Sequence, residues 1–256
     1  MSTPTDPAQE EVRVTRTDGI VHVRLNRPQR GNALSATLVA GIHAALQQAS
    51  REPTRLLVLS GEGRHFCTGF DLSSLEQETD DTLLARFTRV ELMLQAIHAA
   101  PFPTLSLAHG RTMGAGADIV CACSERWIVD DAQFAFPGAG FGLVLGTARL
   151  ADTVGAPVTQ RWIETGASIL AEEALQHGLV QRQVARTMLP AELEARCLAG
   201  RRLDDATHTA VHQAAQRCRR RGSGDAAIDL AALIESAART GLKNRIQAYR
   251  DRQLRQ

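Results

Sequence analysis

The chain has 256 residues, 44% of them hydrophobic, enough for a sizeable core in one large domain or in a domain with an appendage. Lys and Arg number 29 against 28 Asp and Glu, a net +1 that argues against general electrostatic capture of nucleic acid or a membrane surface. The five cysteines, Cys67, Cys121, Cys123, Cys197 and Cys218, have no CxxC or zinc spacing, so no metal site is expected and reduced cytoplasmic thiols fit best.

The first ten residues are polar, with no apolar core of a secretory signal, and no apolar run is long enough to span a bilayer. Alternating residues from Glu11 to Arg16 and from Ile20 to Asn26, on either side of Asp18-Gly19, predict an antiparallel hairpin. A polar loop, Leu25 to Ser35, then runs into a helix over Ala36 to Ser50 with Ser35 as its N-cap. Leu56 to Ser60 reads as a buried strand, followed by the loop Gly61 to His65. Beyond Phe66 to Leu72 the acidic stretch around Glu76 to Asp81 is expected to be mobile, and Thr82 to Ala100 reads as a long amphipathic helix. Pro103 to Ala108 predicts a strand, Ile119 to Cys123 a buried helix, and Arg126 to Val129 and Gln133 to Phe136 two more strands.

From Leu143 the chain is mainly helical, with segments over Leu145 to Val154, Pro157 to Glu164, Ala171 to His177, Pro190 to Ala199, Asp204 to Arg221 and Ala226 to Gln253, the last divided near Gly241. The recurring strand, helix and strand pair suggests stacked turns of a superhelix rather than a flat doubly wound sheet. We divide the chain into a core over 1–200 and a helical region over 201–256. The cluster Arg217 to Arg221 reads either as a solvated helix end or as a contact for an anion or a subunit.

The run His109-Gly110-Arg111-Thr112-Met113-Gly114-Ala115-Gly116-Ala117-Asp118 joins a strand to a helix through glycines. Such a turn offers first-turn N–H groups without intrahelical partners and a partial positive charge to an oxygen. A helix starting near Gly114 sets the Asp118 carboxylate about one turn from the Ala115 N–H. The same glycines would also serve close helix packing, and Asp suits a first helical turn in any case. No G-x-G-x-x-G opens a helix with an acid about 20 positions later, which argues against a dinucleotide site.

Leu25-Asn26-Arg27-Pro28 with Asn32-Ala33-Leu34, then Phe66 to Leu72, then Gly110 with Gly114 to Asp118, closely resemble in order and spacing the signatures of the crotonase superfamily, the enoyl-CoA hydratase/isomerase group. Ala132 to Pro137 and Ala171 to Val180 resemble its later landmarks, so the resemblance covers roughly 12 to 254. It implies an α/β fold, a crotonase-like superhelix of repeated ββα units with a C-terminal helical trimerisation region, assembled as a homotrimer or dimer of trimers. It also implies an acyl-CoA thioester as substrate, with coenzyme A as part of that substrate and no separate cofactor.

By the same resemblance the N–H groups of Phe70 and Ala115, each following a glycine, Gly69 and Gly114, hold the thioester oxygen and stabilise an enolate. Gln29, Arg30 and Gly31 would contact the nucleotide and pantetheine portions, with Thr68 at the adenine side. Arg30 reads equally as a phosphate contact or as a plain surface residue. Asp118 falls where a catalytic Glu usually sits, and the second Glu position, after Pro137, is Gly138. Asp is also shorter than Glu by one methylene, about 1.5 Å of reach. The segment from Pro137 to Leu150 is about three residues shorter than is usual in the family.

Hydration is therefore expected to be weak, and a double-bond shift or a decarboxylation, which can work with one proton carrier, is favoured. The alternative is a non-catalytic acyl-CoA-binding or assembly subunit with a degenerate site. Other titratable groups, His65, His109, Glu91 and His98, read as structural or solvated; Cys67 lacks a visible His–Asp partner, Cys121 and Cys123 read as helix packing, and Tyr249 as packing in the tail.

Overall fold

The computed structural model describes residues 10–222 and 226–255. The chain's first nine residues and the side chains of Arg217 to Arg221, including Cys218, lie outside what is described. The hairpin forms as expected: β1 (Val12–Thr17) and β2 (Ile20–Leu25) pair antiparallel with Thr17 opposite Ile20. Asp18 and Gly19 both take positive φ, 50° and 78°, the twist that a two-residue hairpin turn requires. Ser35 caps α1 (Ala36–Arg51) by accepting from the Leu38 N–H, and Leu38, Ile42, Leu46 and Ala49 form its buried face.

Strand β3 (Leu56–Gly61) is a continuous apolar run because both its faces are covered. Leu57 and Leu59 enter the main core, while Leu56 and Val58 pack on the opposite side with Leu105, Leu107 and Trp127. Helix α2 (Asp80–His98) leads to β4 (Thr104–Met113), then α3 (Ala115–Ala122) and β5 (Glu125–Ala135). After these come α4 (Thr147–Val154), α5 (Ala156–Thr165), β6 (Ile169–Leu170), α6 (Ala171–Gln176), β7 (Arg182–Val184) and α7 (Leu189–Gly200). The remaining helices are α8 (Asp205–Gly222), α9 (Ala226–Ala238) and α10 (Leu242–Leu254). Among the described residues no helix is long and apolar enough to cross a membrane.

Among the described residues the sheet has seven strands in the order β1-β2-β3-β4-β5-β6, with β7 also paired to β5. Pairs β2–β3, β3–β4 and β4–β5 are parallel, so each crossover advances one position and the chain never reverses as a doubly wound sheet does. Short parallel bridges, Leu34 with Phe70 and Cys67 with Thr112, add a further layer above the strand ends.

Three expectations are corrected. The stretch His109 to Met113 is not a turn: β4 runs through it with an irregularity between Ala108 and Gly110, and Gly114 alone makes the turn. The two strands expected over 126–136 are one, β5, bent at Asp130, whose φ of 60° lets the pairing continue on both sides. The acidic stretch expected to be mobile is tied down: Glu78 pairs with Arg86, and the Asp80 carboxylate accepts the Gly241 and Lys243 N–H groups at 2.8 Å each. Those bonds fasten the start of α2 to the start of α10, a connection between residues 161 and 163 apart that no local pattern announces.

Candidate active site

Two strand-to-loop segments meet at the expected oxyanion position. The Leu34 N–H donates to the Gly69 carbonyl and the Asp71 N–H to the Leu34 carbonyl, at 2.8 and 3.2 Å. Those bonds use the groups on either side of Phe70, so its own N–H faces the other way, and it donates to no acceptor among the described residues. Opposite it, Gly114 holds φ 51° and ψ −126°, a conformation that excludes a side chain, and is fixed by its N–H to the Ala135 carbonyl at 2.8 Å. Ala115 is thereby the first residue of α3, where an N–H has no intrahelical partner.

Gly69, at φ 96°, brings the two segments into contact: a Cβ there would lie 2.8 Å from the Met113 carbonyl oxygen and 3.7 Å from the Ala115 nitrogen. Gly116 does the same one step along, since a Cβ on it would come within 2.8 Å of the Cys67 Cβ and still nearer its carbonyl. Gly116→Ala should therefore destabilise the fold by about 1–3 kcal/mol through overpacking, a loss measurable as a lowered midpoint in urea denaturation. The glycines serve both the turn and the packing, so the two sequence readings are compatible.

The binding-loop residues are also brought together. The Thr68 N–H donates to the Gly31 carbonyl at 3.0 Å, and a Cβ on Gly31 would touch the Thr68 methyl at 2.8 Å. Gln29 and Arg30 are exposed in a short 3-10 turn, Pro28–Arg30, beside them. Sequence reasoning gave no role to the residue that holds this loop. Asn32, fully buried at φ 54°, accepts the Arg27 N–H and donates to the Glu62 and His65 carbonyls. Arg27 in turn pairs with Glu11 at 2.8 Å and Asp71 at 3.0 Å; burial pushes the Asp71 carboxyl up, but hydrogen bonds from Ser73, and after them Arg27, hold it below the usual carboxylate range.

Asp118 is 3% exposed, and burial pushes its carboxyl up to about 8, with Arg149 pulling it down and Glu91 adding to the rise. Its Oδ1 has no hydrogen-bond partner among the described residues. Gly146 lies directly against that carboxyl, leaving no room for a side chain there. Around the Phe70 side, its ring stacks on Phe87 with centroids 4.1 Å apart, and the Arg86 guanidinium sits 4.2 Å from the Phe70 centroid. Phe87 and Phe141 continue this apolar wall, and Tyr249 of α10 closes on Phe141 edge-on at 5.4 Å and against Gly140.

The other titratable candidates take structural places. His65 Nδ1 accepts the Arg111 N–H, and His109 Nε2 lies 3.1 Å from the Gly63 carbonyl. The Cys67 thiol is fully buried and pushed up to about 12, which removes it as a nucleophile. Glu91 is not solvated: it is 1% exposed and ion-paired to Arg149. Its signal in the sequence is its phase, since Glu91 follows Phe87 by four and precedes Leu94 by three on the buried face of α2.

The enoyl-CoA hydratase/isomerase family model matches residues 15–248. The chain belongs to that family. The probable enoyl-CoA hydratase echA6 of Mycobacterium leprae is 32% identical over 177 residues, 66% of this chain and 69% of that one. The mouse mitochondrial enoyl-CoA hydratase domain-containing protein 3 is 32% identical over 192 residues, and the match spans 64% of its length. A crystal structure of a putative enoyl-CoA hydratase/isomerase from Bordetella parapertussis superposes with TM-score 0.87 at 38% identity, covering 93% of this chain and 98% of that one. An enoyl-CoA hydratase from Bacillus halodurans shares the fold, with TM-score 0.82 at 20% identity. In this chain Phe70 follows Gly69, Ala115 follows Gly114, and Gly138 follows Pro137.

Proposed function

We propose that this enoyl-CoA hydratase/isomerase family member acts on an acyl-CoA thioester, holding the thioester oxygen with the Phe70 and Ala115 N–H groups. The observation that supports the reading is the close packing of Gly69, which precedes Phe70, on Met113 and the Ala115 nitrogen, with the buried Asp118 carboxyl three residues further along α3. Preorganised donors in a dry site are worth about 3–4 kcal/mol each to a developing oxyanion, because no solvent need reorganise when charge arrives. Gly69 and Gly114 set that geometry. Gln29, Arg30, Gly31 and Thr68 take the coenzyme portion of the substrate.

With Gly138 where a second acid would stand, water has one carboxyl to activate it and protonate the product, so isomerisation or decarboxylation is favoured over efficient hydration. The protein works in the cytoplasm as a homotrimer or dimer of trimers. A panel of 2-enoyl-, 3-enoyl- and malonyl-type CoA thioesters tests the reading. Turnover of the second or third class above the first supports it, and fast hydration of a 2-enoyl thioester sinks the preference. Tight binding with no turnover anywhere points instead to a non-catalytic acyl-CoA-binding subunit.

A further inference from the structure

Two helices bring buried charge to Asp118, and a third adds a partly buried carboxylate. Arg149 of α4, 3% exposed, grips Glu91 of α2 through two parallel contacts, Nη1 to Oε1 at 2.9 Å and Nη2 to Oε2 at 2.5 Å. Asp229 of α9 lies 3.4 Å from the same Nη1, and the Gln95 side-chain amide donates to Glu91 Oε1 at 3.0 Å. On α3 itself the Cys121 thiol, three residues beyond Asp118, is pushed up to about 12 by burial, and Arg126 acts on it from β5.

The guanidinium nearest Asp118 is thus committed to other carboxylates. A planar fork engaged by one carboxylate cannot offer the same pair of N–H groups to another. Two buried atoms lack a hydrogen-bond partner among the described residues, Asp118 Oδ1 and Arg149 Nε. An ionised carboxylate without a cation or donors is disfavoured in such surroundings, whereas a neutral carboxyl is tolerated.

We propose that Glu91 is a positioning residue: by occupying Arg149 it denies Asp118 a cation partner and keeps it a neutral acid that enters the cycle with its proton. The inference rests on the acyl-CoA reading for what that proton is used for. As the enolate collapses, the electron pair on the thioester oxygen returns to the carbonyl, the enolate carbon takes the proton, and the Asp118 O–H bond breaks. The Asp118 carboxylate then regains a proton from water. Of the two reactions favoured above, this suits decarboxylation of a 2-carboxyacyl thioester. There the bond to the carboxylate breaks, its electron pair passes through the enolate to the thioester oxygen, carbon dioxide leaves, and no base is needed.

The test is a carbon-13 NMR titration of the full-length protein labelled at its Asp carboxyl carbons, with the Asp118 signal assigned by its absence in Asp118→Asn. Wild-type Asp118 should be protonated at pH 7. In Glu91→Gln, which keeps shape and frees Arg149, its midpoint should fall by at least about one pH unit, a tenfold change in acid constant. Asp229→Asn, a milder relief of the same guanidinium, should move it the same way by less. An ionised wild-type Asp118 at pH 7, or an unmoved midpoint in folded Glu91→Gln, overturns the proposal. Should that variant fail to fold, an unmoved midpoint in Asp229→Asn overturns it instead. A merely structural Glu91 would lower stability and leave the midpoint in place. No substrate enters this measurement, so failure of the thioester panel would sink the acyl-CoA reading without altering the titration result.

Discussion

Asp118→Asn should lower turnover of the preferred thioester by about 100- to 10,000-fold, the usual contribution of a positioned acid or base, while acyl-CoA affinity is retained. The donors proposed to grip the thioester oxygen are backbone groups of Phe70 and Ala115, which the substitution leaves in place. Steady-state kinetics beside equilibrium binding separates the two effects; unchanged turnover would remove Asp118 from the mechanism.

The same substitution should stabilise the protein. In the folded chain the Asp118 carboxyl is pushed up to about 8 by burial, whereas an unfolded Asp ionises near the ordinary value of about 3.9. As pH rises between those values the unfolded state loses its proton and the folded state keeps it, so the raised carboxyl disfavours folding progressively across that window. At pH 7 the penalty is on the order of 4 kcal/mol. Asp118→Asn removes it, and the gain should shrink to nothing below about pH 4, where the carboxyl is protonated in both states. Thermal unfolding of the two proteins at pH 4 and pH 7 checks the sign.

The second large effect is a gain. Gly138→Glu should raise hydration of a 2-enoyl-CoA by at least about tenfold, because it returns a carboxylate beside the oxyanion turn. The backbone accepts the change: Gly138 is absent from the positive-φ positions, and a Cβ there would meet only the Leu143 carbonyl and Cβ, at 3.9 and 4.0 Å, an ordinary contact. Its neighbour Pro137 packs against Gly114, where a Cβ would lie 3.7 Å from the proline ring, so the new side chain starts next to the turn that presents Ala115. Hydration no faster than in the parent would show that Gly138 is not what limits this reaction.

Much of the architecture is local in origin. The Asp18-Gly19 turn with its alternating flanks, the Ser35 cap and the glycine-led entry to α3 are settled by residues within one turn or hairpin of each other, and they stand where periodicity and turn chemistry place them. Boundaries were harder. Nothing in Asp130-Asp131 separates a turn from a strand that bends, because pairing with β4 on both sides decides it. Likewise the acids from Glu76 to Asp81 have a loop's composition, and it is α10 and Arg86, reached only in the folded chain, that hold them.

The sequence by itself determined the family, the opening hairpin and the glycine-led entry to α3, because short-range glycine and turn chemistry carries them. What only the tertiary structure decided is which charges surround Asp118. Glu91 and Arg149 are 58 residues apart, and no spacing rule links either to Asp118. Whether a carboxyl is charged depends on which cation is within reach and already taken, and on the absence of water. Both are set by which helices meet around it.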